Sequence, residues 1–165
     1  MEGCPSLVAT SAPSKDRWGL EEFMDTVMTS DPEATVKVTR YRGVFVAFSA
    51  RDPRVVVQKF LAFTHAFLAR VYPVMACSDA SGLERLLGEA VKALRGPVKL
   101  EVKLRDPLSR VMSEDDVRSA ARKAGIVISK SAQLVLVLES LEDKLLLSYG
   151  RPAACGPSCK VIIPP

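Results

Sequence analysis

Residues 98–105 read Val-Lys-Leu-Glu-Val-Lys-Leu-Arg, with apolar and charged side chains in strict alternation. This period of two predicts a β-strand that has one face on a core and the other in solvent. Immediately before it, Gly96-Pro97 ends a stretch whose apolar residues recur at helical spacing, which predicts an amphipathic helix. The apolar positions of that helix are Leu83, Leu86, Leu87, Ala90, Val91 and Leu94.

A second helix is predicted after the strand. Ser113 and Asp116 have the spacing of a capping box, and Gly125 provides a helix end. Two continuous apolar runs follow, at 134–138 and 145–149, and runs of this kind are typical of strands covered on both faces. We expect these two strands to be adjacent and antiparallel. The pattern of elements over residues 78–150 therefore predicts an α/β module.

The first half of the chain shows a different order of elements. A short apolar run at 7–10 precedes a helical pattern that stops at Asp31-Pro32, and two strands follow at 36–40 and 44–48. Asp52-Pro53 then starts a second helix, and a β-rich stretch covers 67–77. Strand, helix, strand, strand, helix, strand is the ferredoxin-like order. The predicted class is α/β (α+β), with a ferredoxin-like unit at 5–77 packed on the module at 78–150.

Residues 151–165 contain several prolines and are predicted to form a C-terminal tail, a loop followed by a short extended segment. The predicted core draws on both halves of the chain. It comprises Phe23, Val44, Val46, Phe60, Leu86, Leu87, Val102, Val117, Leu136 and Val137.

Composition limits the class of protein. A chain of 165 residues that is 48 % hydrophobic can bury a core, so disorder is not expected. It has no apolar run of membrane-spanning length and its start lacks the features of a signal peptide, so we expect a cytoplasmic protein with no membrane partner. Four unevenly spaced cysteines do not resemble a disulfide framework, and we expect them to be mostly reduced.

Catalytic and metal-binding patterns are sparse. The sequence has no Gly-rich phosphate loop, no HExxH and no G-x-S-x-G. Its one histidine, His65, has apolar neighbours, which favours a packing or capping role. Cys155 and Cys159 lack the second ligand pair that a zinc site needs, while a disulfide between them stays open as an alternative. We therefore expect no catalytic residue, no metal and no cofactor.

Basic residues concentrate in two segments. Residues 37–54 hold five cations against one acid, and residues 99–130 hold eight cations against five acids. Arg118 and Arg122 are four apart, opposite Val117 and Ala121, so they repel each other unless a partner is present. The cations form either a surface that follows a phosphate backbone or an ordinary solvated face. The candidate RNA-binding residues are Lys99, Lys103, Arg105, Arg110, Arg118, Arg122, Lys123, Lys130, Arg40 and Arg42. Of these, Lys99, Lys103, Arg105, Arg118, Arg122 and Lys123 are expected to be exposed on one side of the module.

The second half resembles the THUMP domain of tRNA-modifying proteins such as 4-thiouridine synthases. The resemblance lies in the basic strand at 98–105, in Gly125 with the strand after it, and in the segments 134–139 and 144–149. A ferredoxin-like domain usually precedes THUMP, and the first half is similar to that region at 41–44, 52–53 and 72–74. With no catalytic domain expected after Pro165, the resemblance implies a stand-alone tRNA-binding adaptor for a separate tRNA cytidine acetyltransferase.

Three functions follow from these patterns. The leading hypothesis is a non-catalytic module that binds tRNA and takes part in tRNA modification and processing. The second is a protein-interaction subunit whose basic face binds an acidic partner. The third is a small enzyme, whose activity would depend on His65 or on the pair Cys155 and Cys159. Oligomeric state has no signature in the sequence.

Overall fold

The computed structural model describes residues 3–165, which form nine β-strands and four α-helices. These residues divide into two compact units. The N-terminal unit contains Gly3–Val74 together with Pro152–Pro164, and the second unit contains Met75–Arg151. The mixed α/β class predicted from the sequence is confirmed.

The elements follow one another in chain order. The N-terminal unit begins with β1 (Leu7–Ser11), α1 (Asp16–Ser30), β2 (Thr35–Val38), β3 (Val44–Phe48), α2 (Pro53–Gln58) and β4 (Leu68–Pro73). The second unit contains β5 (Ala76–Asp79), α3 (Leu83–Ala93), β6 (Val98–Lys103), α4 (Glu114–Lys123), β7 (Leu134–Leu141) and the greater part of β8 (Lys144–Gly156). The end of β8 and the whole of β9 (Cys159–Ile163) belong to the N-terminal unit.

The sheet of the N-terminal unit has the strand order β2-β3-β1-β4, with every neighbouring pair antiparallel. Two helices alternate with these strands in the ferredoxin-like sequence. The start of α2 forms as its sequence predicts, because the Asp52 side chain accepts a hydrogen bond from the Arg54 N–H at 2.9 Å and Pro53 occupies the first turn. The core under the helices includes Phe23, Phe45 and Phe60, all at most 1 % exposed.

The C-terminal segment differs from the predicted tail at 151–165. Strand β9 pairs parallel with β4, with Val71 opposite Val161, and so adds a strand to the ferredoxin-like sheet. Val161 and Ile162 are completely buried. The prolines suggested a loop, but Pro157 lies in the turn between β8 and β9, where a proline interrupts no pairing. The apolar run after it is therefore free to join the sheet.

In the second unit, β6 pairs parallel with β7, β7 pairs antiparallel with β8, and β8 pairs antiparallel with β5. Leu136 lies opposite Tyr149 and Leu138 opposite Leu147, so the predicted antiparallel pairing of 134–138 with 145–149 is confirmed. Helices α3 and α4 cover one face of this sheet through a core that includes Leu86, Val117 and these leucines.

Burial agrees with the predicted core at every position except one. Val102 is only partly buried, whereas the other predicted core residues are 4 % exposed or less. Val102 lies in β6, which ends the strand order of its sheet, and an edge strand is covered on fewer sides than an inner one. In residues 3–165, none of the helices combines the length and the hydrophobicity that a bilayer crossing requires.

Candidate nucleic-acid interface

Helix α4 carries its charges in the order that favours the helix. Three acids occupy its first turn, and Arg122 and Lys123 occupy its last turn, which matches the helix macrodipole. The predicted capping box is present: the Ser113 N–H donates to the Asp116 carboxylate at 2.8 Å, and the Asp116 N–H donates to the Ser113 hydroxyl at 3.1 Å. The hydrogen bond from the Ser113 backbone N–H is the largest cause, and the Ser113 side chain the next, of a lowered pKa of Asp116.

Arg118 and Arg122 lie in different electrostatic settings. Arg118 is 30 % exposed and its guanidinium lies 3.0 Å from Glu114, one turn earlier, so Arg118 has an acidic partner within the helix. At the corresponding position, Arg122 has Arg118 instead of an acid. Arg122 and Lys123 are both exposed and leave positive charge at the C-terminal end of α4.

Arg105 contradicts the prediction that it is exposed. Its side chain is 10 % exposed, and its guanidinium donates to the Glu139 carboxylate at 2.7 Å and to the Ser140 carbonyl at 3.0 Å. Glu139 is itself 1 % exposed. Because Arg105 continues the alternation of charged residues along β6, it was expected to face solvent. The strand ends at Lys103, however, and the chain then turns toward β7. Arg105 is thus a largely buried structural residue.

Lys99 and Lys103 are exposed, as predicted, but they do not share a side with the basic residues of α4. Leu100 and Val102 pack in the core that α3 and α4 cover. Alternation along β6 then places Lys99 and Lys103 on the opposite face of the sheet. The prediction of one cationic side that combines strand and helix residues is therefore wrong.

Two further predicted cations are exposed at other places in the second unit. Arg110 lies 3.2 Å from Asp106, in an ion pair whose partners are 76 % and 53 % exposed. Lys130 lies in the turn segment before β7. Exposed pairs of this kind contribute little to stability, and their cations can exchange one anionic partner for another.

A groove of about 670 Å³ lies between α3 and α4. Glu84 and Asp116 line it from the first turns of the two helices, and Lys92 and Lys123 line it from their last turns. Lys92 was not among the residues predicted from the sequence, because it lies outside both basic segments. The groove has acids and lysines in equal number, so its net charge does not favour an anion.

The N-terminal unit brings Arg40 and Arg42 to the turn between β2 and β3. The Arg40 guanidinium lies 5.1 Å from the centre of the Tyr41 ring, and the Arg42 Nε donates to Asp16 at 3.0 Å. Gly43 closes the turn with φ +72°, and a Cβ at this position would meet the Ser11 hydroxyl. Only glycine fits this conformation at low cost, and the contact of Arg42 with Asp16 holds the turn against the start of α1.

Sequence reasoning left Arg17 and Trp18 out of the candidate site. Trp18 is 49 % exposed at the start of α1, and the Arg17 guanidinium lies 5.8 Å from the centre of its ring. The available signal was an aromatic residue that follows two cations, Lys15 and Arg17, at a helix start. The sequence-based prediction did not use this signal.

His65, Cys155 and Cys159 form a buried cluster in the N-terminal unit, with their ligand atoms within 4.8 Å of one another. The His65 Nδ1 lies 2.7 Å from the Cys155 carbonyl, which can only accept, so Nδ1 carries the proton. The Thr26 hydroxyl then donates to Nε2 at 2.8 Å. Both ring nitrogens are therefore engaged in holding α1, the segment before β4 and the end of β8 together.

Cys155 and Cys159 form a disulfide, and no described cysteine is free. The expectation of mostly reduced cysteines is wrong, and the alternative that was left open for this pair holds. The short turn between β8 and β9 brings the two Cα atoms to 4.9 Å, within the range that a disulfide requires. Sequence spacing alone did not reveal that these residues belong to two paired strands.

No protein-family model matches the sequence, and no curated protein matches it. Several solved structures do. TrmN from Thermus thermophilus is 16 % identical, with a TM-score of 0.56, and the match covers 87 % of this chain and 44 % of TrmN. PH1313 from Pyrococcus horikoshii is 13 % identical, with a TM-score of 0.57, over 92 % of this chain and 58 % of that one.

A third match is a 4-thiouridine synthetase solved as an RNA complex with bound ATP. It is 13 % identical, with a TM-score of 0.59, over 93 % of this chain and 43 % of the synthetase. The chain thus spans about half the length of the structures that it matches. At this level of identity the likeness establishes the fold: the chain has the THUMP-type fold, a ferredoxin-like unit with an α/β module, that its sequence resemblance implies.

Proposed function

We propose that this protein is a tRNA-binding module that carries no catalytic machinery of its own. The observation that carries the proposal is the fold shared with the 4-thiouridine synthetase that was solved with RNA. The sequence resemblance to THUMP proteins points to the same ligand. A pI near 9.0 and a formal charge of +4 are consistent with an anionic partner.

Phosphate contacts come from the exposed cations of both units. In the second unit, Arg122 and Lys123 lie at the end of α4, while Lys99 and Lys103 lie on the other face of the sheet. In the N-terminal unit, Arg40 and Arg42 lie in the turn after β2. Three separate patches suit a folded RNA better than one continuous stripe does, because phosphate contacts to a folded RNA fix orientation as well as affinity. Arg105 is excluded from this set by its burial.

The absence of catalysis is supported by what the candidate catalytic groups do. Both ring nitrogens of His65 are hydrogen-bonded inside the N-terminal unit, and the sulfurs of Cys155 and Cys159 are joined. A general base or a nucleophile needs an accessible atom, and these residues are at most 4 % exposed. We therefore assign the chain the role of an adaptor that presents tRNA to a separate cytoplasmic enzyme, such as a tRNA cytidine acetyltransferase.

A gel-shift titration with total tRNA at two salt concentrations tests the binding. Each phosphate that a cation neutralises adds about 0.7 to 0.9 to the slope of log affinity against log salt, so a steep negative slope is expected. A protein that binds an acidic protein partner instead would show no preference for folded tRNA over an unrelated polyanion such as heparin. That result would overturn the proposal.

A nucleoside profile tests the adaptor role. The protein incubated alone with tRNA and common cofactors should leave the profile unchanged, whereas addition of a tRNA cytidine acetyltransferase should produce acetylated cytidine faster than the enzyme does alone. A new modified nucleoside made by this chain by itself would show that it is an enzyme. An acetyltransferase rate that the chain does not change would remove the adaptor role and leave tRNA binding in place.

A further inference from the structure

Helices α3 and α4 run side by side in the second unit, and the groove between them is called the α3–α4 groove below. Each helix leads into a strand, α3 into β6 and α4 into β7, and these two strands are parallel. Since both helices pack on the same face of the sheet, they run in the same direction. Each helix lines the groove with a stripe of residues at helical spacing, from Glu84 to Lys92 in α3 and from Asp116 to Ala124 in α4.

The α3–α4 groove has opposite charges at its two ends. Glu84 and Asp116 line it from the first turns of the helices, and Lys92 and Lys123 line it from the last turns. Because the helices run in the same direction, the two acids lie at one end and the two lysines at the other. The ends are about 10–12 Å apart at a rise of 1.5 Å per residue. This pattern suits a ligand whose own charge changes sign along its length, and an RNA would meet repulsion at the acidic end.

The charges of α3 that line the groove differ from the charges outside it. Arg85 and Glu89, outside the lining, form an ion pair at 3.2 Å. Glu84 and Lys92 are exposed, and within residues 3–165 neither has an ion-pair partner. These two groups can therefore pair with a ligand without breaking a contact of the fold, and complementary charge fixes the orientation of a partner.

The floor of the groove is apolar and made of small residues. It includes Gly88, Ala120 and Ala124, and a Cβ added at Gly88 would meet nothing within 4 Å. Val91 is 37 % exposed and also lines a neighbouring groove together with Val127, which is 63 % exposed. Small side chains let a third helix approach to the usual 8–10 Å between helix axes, and the valines give it apolar surface to cover.

An amphipathic helix matches both the charge and the shape of the groove. Helices favour acids in the first turn and bases in the last turn because of the macrodipole, as α4 itself shows. If such a helix lies antiparallel to α3 and α4, its acidic turn meets the lysines and its basic turn meets the acids. The parallel orientation places like charges together. An extended peptide has no such link between chain direction and charge.

We propose that the α3–α4 groove binds an amphipathic helix of a partner protein, antiparallel to both helices. Its acidic N-terminal turn contacts Lys92 and Lys123, and its basic C-terminal turn contacts Glu84 and Asp116. Apolar residues of the partner at i, i+3, i+4 and i+7 pack on Val91 and the small residues of the floor. This docking site rests on the adaptor role of the proposed function, because an adaptor needs a protein-binding surface as well as its RNA contacts.

The probe is a stapled helical peptide of about four turns, with glutamates in the first turn, lysines in the last turn and a leucine stripe between them. A second peptide of the same composition has the lysines first and the glutamates last, and circular dichroism confirms equal helicity. In NMR titrations of the full-length protein, the first peptide should shift the amide signals of the groove residues. It should bind about 5- to 30-fold more tightly than the second, because several surface ion pairs become repulsive in the second. Equal affinity would overturn the proposal.

A nitroxide label on the first peptide measures its orientation. A label at the N-terminus should broaden the amide signals of Lys92 and Lys123, and a label at the C-terminus should broaden those of Glu84 and Asp116. Broadening in the reverse order, or without a difference between the two labels, would show that the charges do not direct the helix and would contradict the site.

A variant that fills the groove tests the position of the peptide. Gly88→Leu adds a side chain in open space and replaces a poor helix former, so the fold should be kept. It should bind the first peptide about 5- to 150-fold more weakly, the range that corresponds to overpacking of a contact. Glu89→Leu is the matched control, because it puts the same side chain one position along α3, outside the groove lining, and it should bind like the wild type. Thermal melts show whether both are folded, and a folded Gly88→Leu with unchanged peptide affinity would sink the proposal.

Measurements of tRNA binding separate this site from the proposed function. If tRNA binds with a steep salt dependence while neither peptide binds, the tRNA-binding function stands and the docking site is wrong. If the first peptide binds in the groove while tRNA does not bind, the docking site is right and the proposed function is wrong. Gly88→Leu should bind tRNA like the wild type, and a weaker tRNA affinity would assign the groove to RNA. Sedimentation that shows a dimer which Gly88→Leu dissociates would assign it to a second copy of the chain, and either result would overturn the proposed partner.

Discussion

The guanidinium of Arg105 lies 2.7 Å from the carboxylate of Glu139, and the two side chains are 10 % and 1 % exposed. Arg105 also donates to the Ser140 carbonyl, and its own N–H donates to the Ser140 hydroxyl at 2.7 Å. A charge buried in this way is stable only together with its partner. Arg105 thus connects the end of β6 to β7 and is unavailable to an RNA.

Replacement of Arg105 should therefore affect stability before it affects binding. We expect Arg105→Ala to lower the free energy of unfolding by about 3–5 kcal/mol, because it leaves the Glu139 carboxylate buried without its cation. Lys103→Ala, at an exposed position of the same strand, should change it by about 0.5 kcal/mol or less. Urea denaturation measures both values. Arg105→Met combined with Glu139→Leu should recover much of the lost free energy of unfolding. If this double variant is destabilised as much as Arg105→Ala, an uncompensated Glu139 charge is not the cause of the loss.

Phosphate binding by α4 can be measured through its salt dependence. Arg118→Ala combined with Arg122→Ala should flatten the slope of log affinity for tRNA against log salt by somewhat under two units, if both cations contact phosphates. The fold should change little, since the pair Arg118–Glu114 is a surface contact at helical spacing. If this variant binds like the wild type while Arg40→Ala combined with Arg42→Ala abolishes binding, the N-terminal unit alone carries the RNA.

The capping box of α4 should make stability depend on pH. Hydrogen bonds from Ser113 lower the pKa of Asp116 from its ordinary value of 3.8, so the charged form is favoured in the folded state. A lowered pKa contributes stability that is complete above the value of the unfolded chain and is lost as the pH falls through the folded value. The difference in free energy of unfolding between the wild type and Asp116→Asn should be largest near neutral pH and should narrow below about pH 4.

Asp115→Asn is the control for this pH dependence. It removes the same charge from the same turn of α4 but leaves the hydrogen bonds between Ser113 and Asp116 in place. Denaturant titrations from about pH 3 to 7 measure how far each variant differs from the wild type in free energy of unfolding. As the pH falls, this difference should shrink more for Asp116→Asn than for Asp115→Asn. Equal behaviour of the two variants would mean that helix charge, and not the cap, determines the effect.

Two glycine substitutions should have opposite effects on stability. A Cβ on Gly156 would collide with the backbone carbonyl of His65, so Gly156→Ala should cost at least about 1–3 kcal/mol. A Cβ on Gly88, inside α3, would meet nothing within 4 Å, so Gly88→Ala should stabilise by about 0.5–1 kcal/mol through helix propensity. Thermal melts of both variants check the signs. A neutral Gly156→Ala would show that the segment at His65 can move away from β8.

Much of the fold could be predicted from the sequence because the signals are local. Alternation at 98–105 identified β6, the pair Ser113 and Asp116 identified the start of α4, and Asp52-Pro53 identified the start of α2. The ferredoxin-like order of the first half and the antiparallel pairing of β7 with β8 also followed from local runs and turns. These features depend on neighbours within a few residues, so a single sequence contains enough information to find them.

The candidate site was less predictable, because the sequence next to a basic residue does not show which groups surround its side chain in the fold. Arg105 continues the pattern of Lys99 and Lys103, yet its partner Glu139 lies 34 residues away. An aromatic residue at a helix start, such as Trp18, is easily taken for a core residue. In the structure its ring contacts Phe67 and is about half exposed. Exposure and ion pairing of a long side chain depend on residues that are remote in sequence.

The sequence by itself thus determined the elements up to residue 150, their order and the two-part α/β class, because hydrophobic period, helix caps and turns act between near neighbours. Only the tertiary structure decided that β9 joins β4, that Cys155 bonds to Cys159, and that the lysines of β6 lie on the other face of the sheet from α4. The disulfide depends on β8 and β9 meeting across their turn, and the position of the lysines depends on which face of the sheet the helices cover. The pairing of β9 with β4 joins segments that are distant in sequence, and it is selected by the free energy of the whole core and not by the spacing of the residues involved.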